Sequence, residues 1–163
     1  MITNKNKSKE KAKLKLHHKA LALFALKCAN RILPHFEKQY PIDKRPRNAL
    51  KTLKTWIKTG VFKMSIIRGA SLASHATARE SKSKNPNMEA IFAARAAGQA
   101  VAVTHVPSHA FGVSYYCLKL AALNNNPKDI KKELAWQEKQ FPKALNKEWN
   151  EWKNKKLPKN IIR

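Results

Sequence analysis

Three observations in the sequence predict an all-α protein, a single-domain helical bundle of about six helices. Apolar residues recur at intervals of three and four, no segment shows the alternation typical of strands, and prolines or glycines separate the periodic segments. The chain has 163 residues and a hydrophobic fraction of 43%, enough for one buried core and too high for a disordered chain. Only 4 glycines are present, which argues against a turn-rich β protein.

The first helix is expected to start near Lys11, after a basic disordered tail over residues 1–10 and at the start of a helical domain over residues 11–154. Pro34 should end or kink it, because proline lacks an amide N–H, and the alternative is that residues 35–40 extend it. Its apolar stripe is formed by Leu21, Phe24, Cys28 and Ile32.

The second helix follows the loop of residues 41–47, with Pro46 in its first turn and Gly60 as its C-terminal stop. A third helix runs roughly from Lys63 to Ser81 and has one narrow face of small residues. Its polar face carries Arg68, His75 and Arg79.

Asn85 and Pro86 are expected to open a fourth, alanine-rich helix that carries Arg95 and Gln99 on one side. A fifth helix, from Ser108 to about Leu123, is apolar on two faces, which favours a central position. Residues 96–118 carry no acidic or basic charge and are long enough to span a bilayer. Because polar groups interrupt that stretch, we instead expect no membrane span and a buried alanine-rich central hairpin.

A C-terminal docking helix is expected over residues 127–154, capped by Asn126 and bent at Pro142, with a frayed basic tail over residues 155–163. Its tryptophans stand among lysines, a pattern that can stack on nucleic-acid bases but at helical spacing more often packs on a core. They are Trp136, Trp149 and Trp152.

The chain carries 34 Lys and Arg against 10 Asp and Glu, a formal net charge of +24. The charge is spread along the sequence rather than confined to one tail, which indicates a partner that is acidic, either a protein surface or a nucleic acid. Two cysteines, Cys28 and Cys117, make no disulfide framework, and no apolar signal segment opens the chain. We therefore expect a cytoplasmic protein.

Several arginines are candidates for binding a partner or an anion. Arg45 and Arg47 flank a proline, and the favoured interpretation is that Asp43 caps the helix while an arginine ties the loop to Glu37. The alternative is that both guanidinium groups are presented to an acidic partner or phosphate. The other candidates either pair with Glu80 or Glu89 or line an anion pocket, and the sequence leaves this open. They are Arg68, Arg79 and Arg95, with His75 beside them.

Three histidines offer a weaker, metal-binding alternative. His105 and His109 are four residues apart, and His75 on a neighbouring helix could supply a third zinc ligand. No established metal-binding spacing accompanies them, so partly buried histidines bonded to neighbouring groups are favoured. No nucleophile motif is present, and carboxylates are scarce. The sequence favours a non-enzymatic protein without a cofactor.

Two local motifs are Asp-x-Arg-Pro-Arg at residues 43–47 and His-Val-x-x-His at residues 105–109. They are the most specific parts of a stretch, about residues 21–123, that resembles a family of small all-α bacterial and archaeal immunity protein domains associated with polymorphic toxin systems. The resemblance implies a helical bundle that neutralises a toxin by binding it, and no catalytic residues come with it. The high positive charge departs from the family's expected composition and implies a target with an acidic surface.

The leading hypothesis is therefore a non-enzymatic protein-binding module that is immunity-like. A basic nucleic-acid-binding protein is the alternative, and a metal-dependent enzyme using the histidine cluster is the third.

Overall fold

A computed structural model describes residues 4–84 and 86–159, and within those ranges the chain is helical without strands. Two short 3₁₀ helices lie at Ala122–Asn124 and Lys143–Leu145. The α-helices are α1 (Asn4–Gln39), α2 (Arg45–Thr59), α3 (Met64–Lys84), α4 (Met88–Ala102), α5 (His109–Ala121), α6 (Pro127–Gln140) and α7 (Asn146–Lys156).

Helix α4 lies at the centre of the packing, in contact with α1, α2, α3 and α5. Its alanines are almost all fully buried, which confirms the predicted burial of the alanine-rich segment. Small side chains let α3 approach so closely that Ser74 Oγ donates to Ala94 O at 2.7 Å and Ser71 Oγ donates to Gly98 O at 3.0 Å. Across the described ranges, no helix combines the length and apolar character needed to cross a membrane.

Helix α1 differs from its prediction at its N-terminal end. It begins at Asn4, so residues 4–10 are helical and not the expected tail, and residues 6–10 are exposed, while residues 1–3 lie outside the described residues. It also continues through Pro34 to Gln39. The fully buried Leu33 and Phe36 flank the proline and hold the helix against the core, while Pro34 itself faces solvent.

The predicted C-terminal helix over residues 127–154 is two helices, so the described part of the chain has seven α-helices where about six were expected. The backbone is extended at Phe141 and Pro142, with ψ of 141° and 116°. Pro142 has no amide N–H to continue α6, so a break replaces the expected bend. Helix α7 then ends at Lys156, and residues 160–163 lie outside the described residues.

The aromatic residues of the C-terminal segment pack on the core. Trp149 is buried, with its ring centroid 4.6 Å from that of Phe141 and 6.0 Å from that of Phe24. Trp136 lies under the Arg31 guanidinium, 3.6 Å from its ring centroid. This packing matches the favoured interpretation, in which the tryptophans pack on the core and do not stack on nucleic-acid bases.

The helix ends follow the local sequence rules with one correction. Gly60 ends α2 in the left-handed region, at φ 67°, and donates its N–H to Trp56 O at 2.7 Å. Asn126 caps α6 as predicted, accepting the N–H of Lys128. The expected cap Asn85 lies outside the described residues. Asn87 caps α4 by accepting the N–H of Ala90, so Pro86 precedes the helix.

Candidate functional site

Two of the candidate arginines are held by carboxylates at the start of α2. Arg45 donates to Asp43 Oδ2 at 2.7 Å and to Glu80 Oε2 at 2.5 Å. Arg47 donates to the two carboxylate oxygens of Glu37 at 2.8 and 2.6 Å. Such paired, charge-assisted contacts tie α2 to α1 and to α3.

Asp43 is the centre of this junction. It also accepts the backbone N–H of Arg45 at 3.0 Å and the hydroxyl of Thr77 at 3.2 Å. The Arg45 side chain holds the pKa of Asp43 below its ordinary range, and hydrogen bonding from Arg47 does the same for Glu37. Arg47 ties the loop to Glu37 as the favoured interpretation expected, but the N-cap of α2 is Lys44, without a side-chain cap bond, and not Asp43. Both guanidinium groups are already engaged.

A second basic region forms a cleft of about 340 Å³ between α3, α4 and the start of α5. None of its lining residues is acidic. The lining comprises Met64, Arg68, Ser71, Leu72, His75, Gln99, Ala102, His105 and His109. The tertiary structure thus brings together four of the residues singled out in the sequence. We refer to this site as the arginine–histidine cleft.

His75 packs directly on α4 because residue 98 is a glycine. A Cβ added at Gly98 would lie 2.7 Å from His75 Nε2, closer than real contacts allow. The Arg95 guanidinium donates to His75 Nδ1 at 3.5 Å, which leaves Nε2 as the protonated nitrogen of the neutral ring. Burial lowers the pKa of His75 to about 4, with further lowering from the charges of Arg95 and Arg79 and from His109. The imidazole is therefore neutral at pH 7.

His109 is fixed in the same manner by a neighbouring amide. Its Nδ1–H donates to Gln99 Oε1 at 2.6 Å, and a Cβ at Gly112 would lie 2.8 Å from that oxygen. Burial, and then His105, lower the pKa of His109. His105 lies in the turn before α5 and not on one helix with His109, but the two ring centroids are 5.4 Å apart.

The remaining candidate arginines have no carboxylate partner within salt-bridge distance among the described residues. The sequence left open whether they pair with Glu80 or Glu89, and no such salt bridge is present in the described part of the chain, although, after the hydrogen bond from Arg45, the charge of Arg79 also lowers the pKa of Glu80. Glu80 is bonded to Arg45, and Glu89 accepts from His35 Nδ1 at 2.7 Å. The unpaired set is Arg68, Arg79 and Arg95.

The histidines meet at one cleft, but within residues 4–84 and 86–159 no group of three or more His, Cys, Asp or Glu side chains is arranged to hold a metal ion. What the cleft supplies is positive charge and N–H donors around a concave surface. That chemistry suits a carboxylate or another oxyanion.

The cysteines lie elsewhere, in the core. Both are free and buried, and Cys117 Sγ donates to Cys28 O at 3.7 Å. Burial raises the pKa of each thiol far above its ordinary value, so neither is a ready nucleophile at neutral pH.

Sequence reasoning missed the residues that shape the cleft: Gly98, Gly112, Gln99 and Ser71. A glycine inside a helix costs about 0.5–1 kcal/mol relative to alanine. Because Gly98 stands in a helix otherwise rich in alanine, the sequence could have indicated that another side chain packs closely against the helix at this position. No feature of the sequence indicated that Gln99 accepts a hydrogen bond from His109.

A match to a family model covers most of the chain. Residues 13–144 match the model described as Imm-5 like putative immunity protein. No curated protein and no solved structure matches the chain.

Proposed function

Because the chain belongs to the Imm-5 like immunity protein family, we propose that it is a non-enzymatic binding protein that neutralises a toxin by direct contact. The contact is centred on the arginine–histidine cleft, and the partner presents an acidic surface there. The observation that carries this proposal is the absence of acidic residues from the cleft lining, in contrast to the carboxylate-paired arginines nearby.

The geometry of the cleft supports recognition of a carboxylate. Arg95 is half-buried outside the cleft lining, and it donates to Nδ1 of His75, which does line the cleft. Arg68 and Arg79 are exposed, where their charges can meet a partner first. A long-range positive field from a chain of net charge +24 accelerates encounter with an acidic surface.

The proposed compartment is the cytoplasm, for which free, buried Cys28 and Cys117 are suited. Direct binding needs no metal or cofactor.

The test begins with affinity capture from the native cell lysate, with nuclease present, followed by mass spectrometry. A protein captured in stoichiometric amount is then co-expressed with this chain. We expect the captured protein to arrest growth alone and growth to resume when both are present.

Three variants localise the contact. Arg68→Glu and Arg95→Gln should lose the captured protein and the growth rescue, while Lys143→Glu should retain both, because Lys143 is exposed and does not line the cleft. Arg68→Glu and Lys143→Glu change the net charge equally. Equal loss with both would point to bulk charge and would reject the cleft as the binding site.

A further inference from the structure

The N-terminal part of α1 extends away from the packed core as a basic arm. We define the arm as residues 6–16, all of which are exposed, whereas burial along α1 starts at Leu21. Glu10 is the only acidic residue in the arm, and no acidic residue lies in the first turn of α1. The lysines of the arm are Lys7, Lys9, Lys11, Lys13 and Lys15.

The arm carries positive charge on two opposite sides. Because successive helical residues rotate by about 100°, Lys7, Lys11 and Lys15 lie on one side, and Lys9 and Lys13 lie on the other. Leu14 and Leu16 fall on opposite sides for the same reason, so the arm has no apolar stripe. It therefore lacks the face that docks in a protein groove or lies on a membrane.

Like charges repel along this helix. Lys7 and Lys11, Lys9 and Lys13, and Lys11 and Lys15 are each four residues apart, which places them as neighbours on the helix surface. A polyanion would relieve this repulsion and release its own counterions on binding.

A groove of about 390 Å³ at the base of the arm joins basic and aromatic side chains. Lys15, His18 and Lys19 line it from α1, and Trp56 and Phe62 line it from α2 and the following loop. The His18 and Trp56 ring centroids are 4.9 Å apart, and the Phe62 side chain is 45% exposed. No acidic residue lines the groove.

Lysines continue beyond this groove. Trp56 also lines an adjacent groove of about 500 Å³, whose lining includes Lys51 and Lys63 and again no acidic residue. Aromatic rings between lysines are the arrangement that accepts unpaired bases on the rings and phosphates on the ammonium groups.

We propose that the basic arm and the groove at its base bind single-stranded nucleic acid without sequence preference. The lysines contact phosphates, and bases stack on Trp56 and Phe62. This surface is separate from the arginine–histidine cleft, so the proposal stands or falls independently of the toxin-neutralising function.

The test uses the full chain and a fluorescently labelled oligothymidylate of 20 nucleotides, with anisotropy measured across a salt series. An arm variant replaces Lys7, Lys9, Lys11 and Lys13 by Gln. A matched control replaces the exposed Lys132, Lys139, Lys143 and Lys155 by Gln and so has the same net charge. We expect the arm variant to bind about tenfold or more weakly with a shallower salt dependence, and the control to change by less than about twofold.

Stacking is tested with Phe62→Ala against Ile42→Ala, which removes an exposed apolar side chain from another loop. Phe62→Ala should weaken binding about fivefold or more without changing the salt dependence, while Ile42→Ala should not. Trp56 fluorescence should fall on binding of the oligothymidylate.

Three results would overturn the proposal. If the arm variant and its charge-matched control bind the oligothymidylate equally weakly, the loss of binding follows from net charge alone and not from the arm. Equal affinity for a 20-residue polyglutamate would point to an acidic protein as the occupant. Equal affinity for a duplex of the same length would exclude recognition of unpaired bases.

Discussion

The two groups of arginines in this molecule are alike in sequence and different in their surroundings. Arg45 and Arg47 each meet a carboxylate through two or more hydrogen bonds, which close the junction of α1, α2 and α3. Arg68, Arg79 and Arg95 have no such partner among the described residues, and Arg95 bonds to a neutral histidine. The first group stabilises the fold, and the second leaves positive charge available to a ligand.

The position of the few carboxylates decides what each arginine does. Four acidic residues lie between residues 20 and 127, and each has a basic partner: Glu37, Asp43, Glu80 and Glu89. None is left for the arginine–histidine cleft. The comparison is tested by substitutions: those of the paired arginines should lower stability, and those of the unpaired arginines should weaken binding.

The largest expected effect on stability is at the paired junction. Arg45→Ala should lower the free energy of unfolding by about 2 kcal/mol, because it leaves the half-buried Asp43 without its main partner. Urea unfolding monitored by circular dichroism measures this. A loss no greater than that of Arg68→Ala would show that the two groups do not differ as described.

The next largest effect is expected from lowering the pH, which should reduce the stability of the protein through the neutral His75. The pKa of His75 in the folded protein is about 4, lowered by burial, by Arg95 and Arg79 and by His109. Between about pH 6.5 and pH 4 the unfolded chain binds a proton that the folded chain does not, so stability falls as pH falls through this window. Because the ring is partly exposed, solvent screening reduces the full loss of about 3 kcal/mol to one on the order of 2 kcal/mol.

The control for the acid effect is His75→Gln, which removes the titrating ring. Its stability should depend less on pH in that window, while the loss below pH 4 from Asp43 and Glu37 should remain. Unfolding curves at several pH values compare the two proteins. Identical pH dependence in both would contradict a depressed pKa at His75.

A smaller stability effect is expected at Gly98. Gly98→Ala gains about 0.5–1 kcal/mol in helix propensity but places a Cβ 2.7 Å from His75 Nε2. The ring must rotate towards solvent, so net stability changes little while the pKa of His75 rises. NMR titration of the imidazole measures the pKa. An unchanged value would show that the close packing on Gly98 does not set it.

The smallest stability effect should come from the unpaired group. Arg68→Glu should change the free energy of unfolding by less than about 0.5 kcal/mol, because Arg68 is exposed and has no ion pair among the described residues. It should abolish the shift of the His75 and His109 imidazole signals when a hexaglutamate peptide is added. Retained shifts would place the peptide elsewhere on the surface.

The candidate site could be predicted only in part from the sequence. Helical spacing placed Arg68, His75 and Arg79 on one side of α3, and the structure places Arg68 and His75 in one cleft with Arg79 near His75. The partners of Glu80 and Glu89 could not be predicted, because they come from other helices. Spacing along one helix carries no information about which helix lies opposite.

By itself the sequence determined the all-helical class, most helix boundaries and the burial of the alanine-rich segment. These follow from local rules: apolar periodicity, proline and glycine positions, and small side chains that allow close packing. The start of α1 at Asn4 and the break at Pro142 show where those rules are weakest. A lysine-rich segment has little local preference, and a proline can bend a helix or end it.

Only the tertiary structure decided which charges are paired and which remain available. Arg45 and Glu80 are 35 residues apart, and Gln99 and His109 are joined across two helices. Such contacts depend on how α3, α4 and α5 pack around small residues such as Gly98. The physical reason is that pairing falls off over a few ångströms, whereas sequence separation does not report distance between helices.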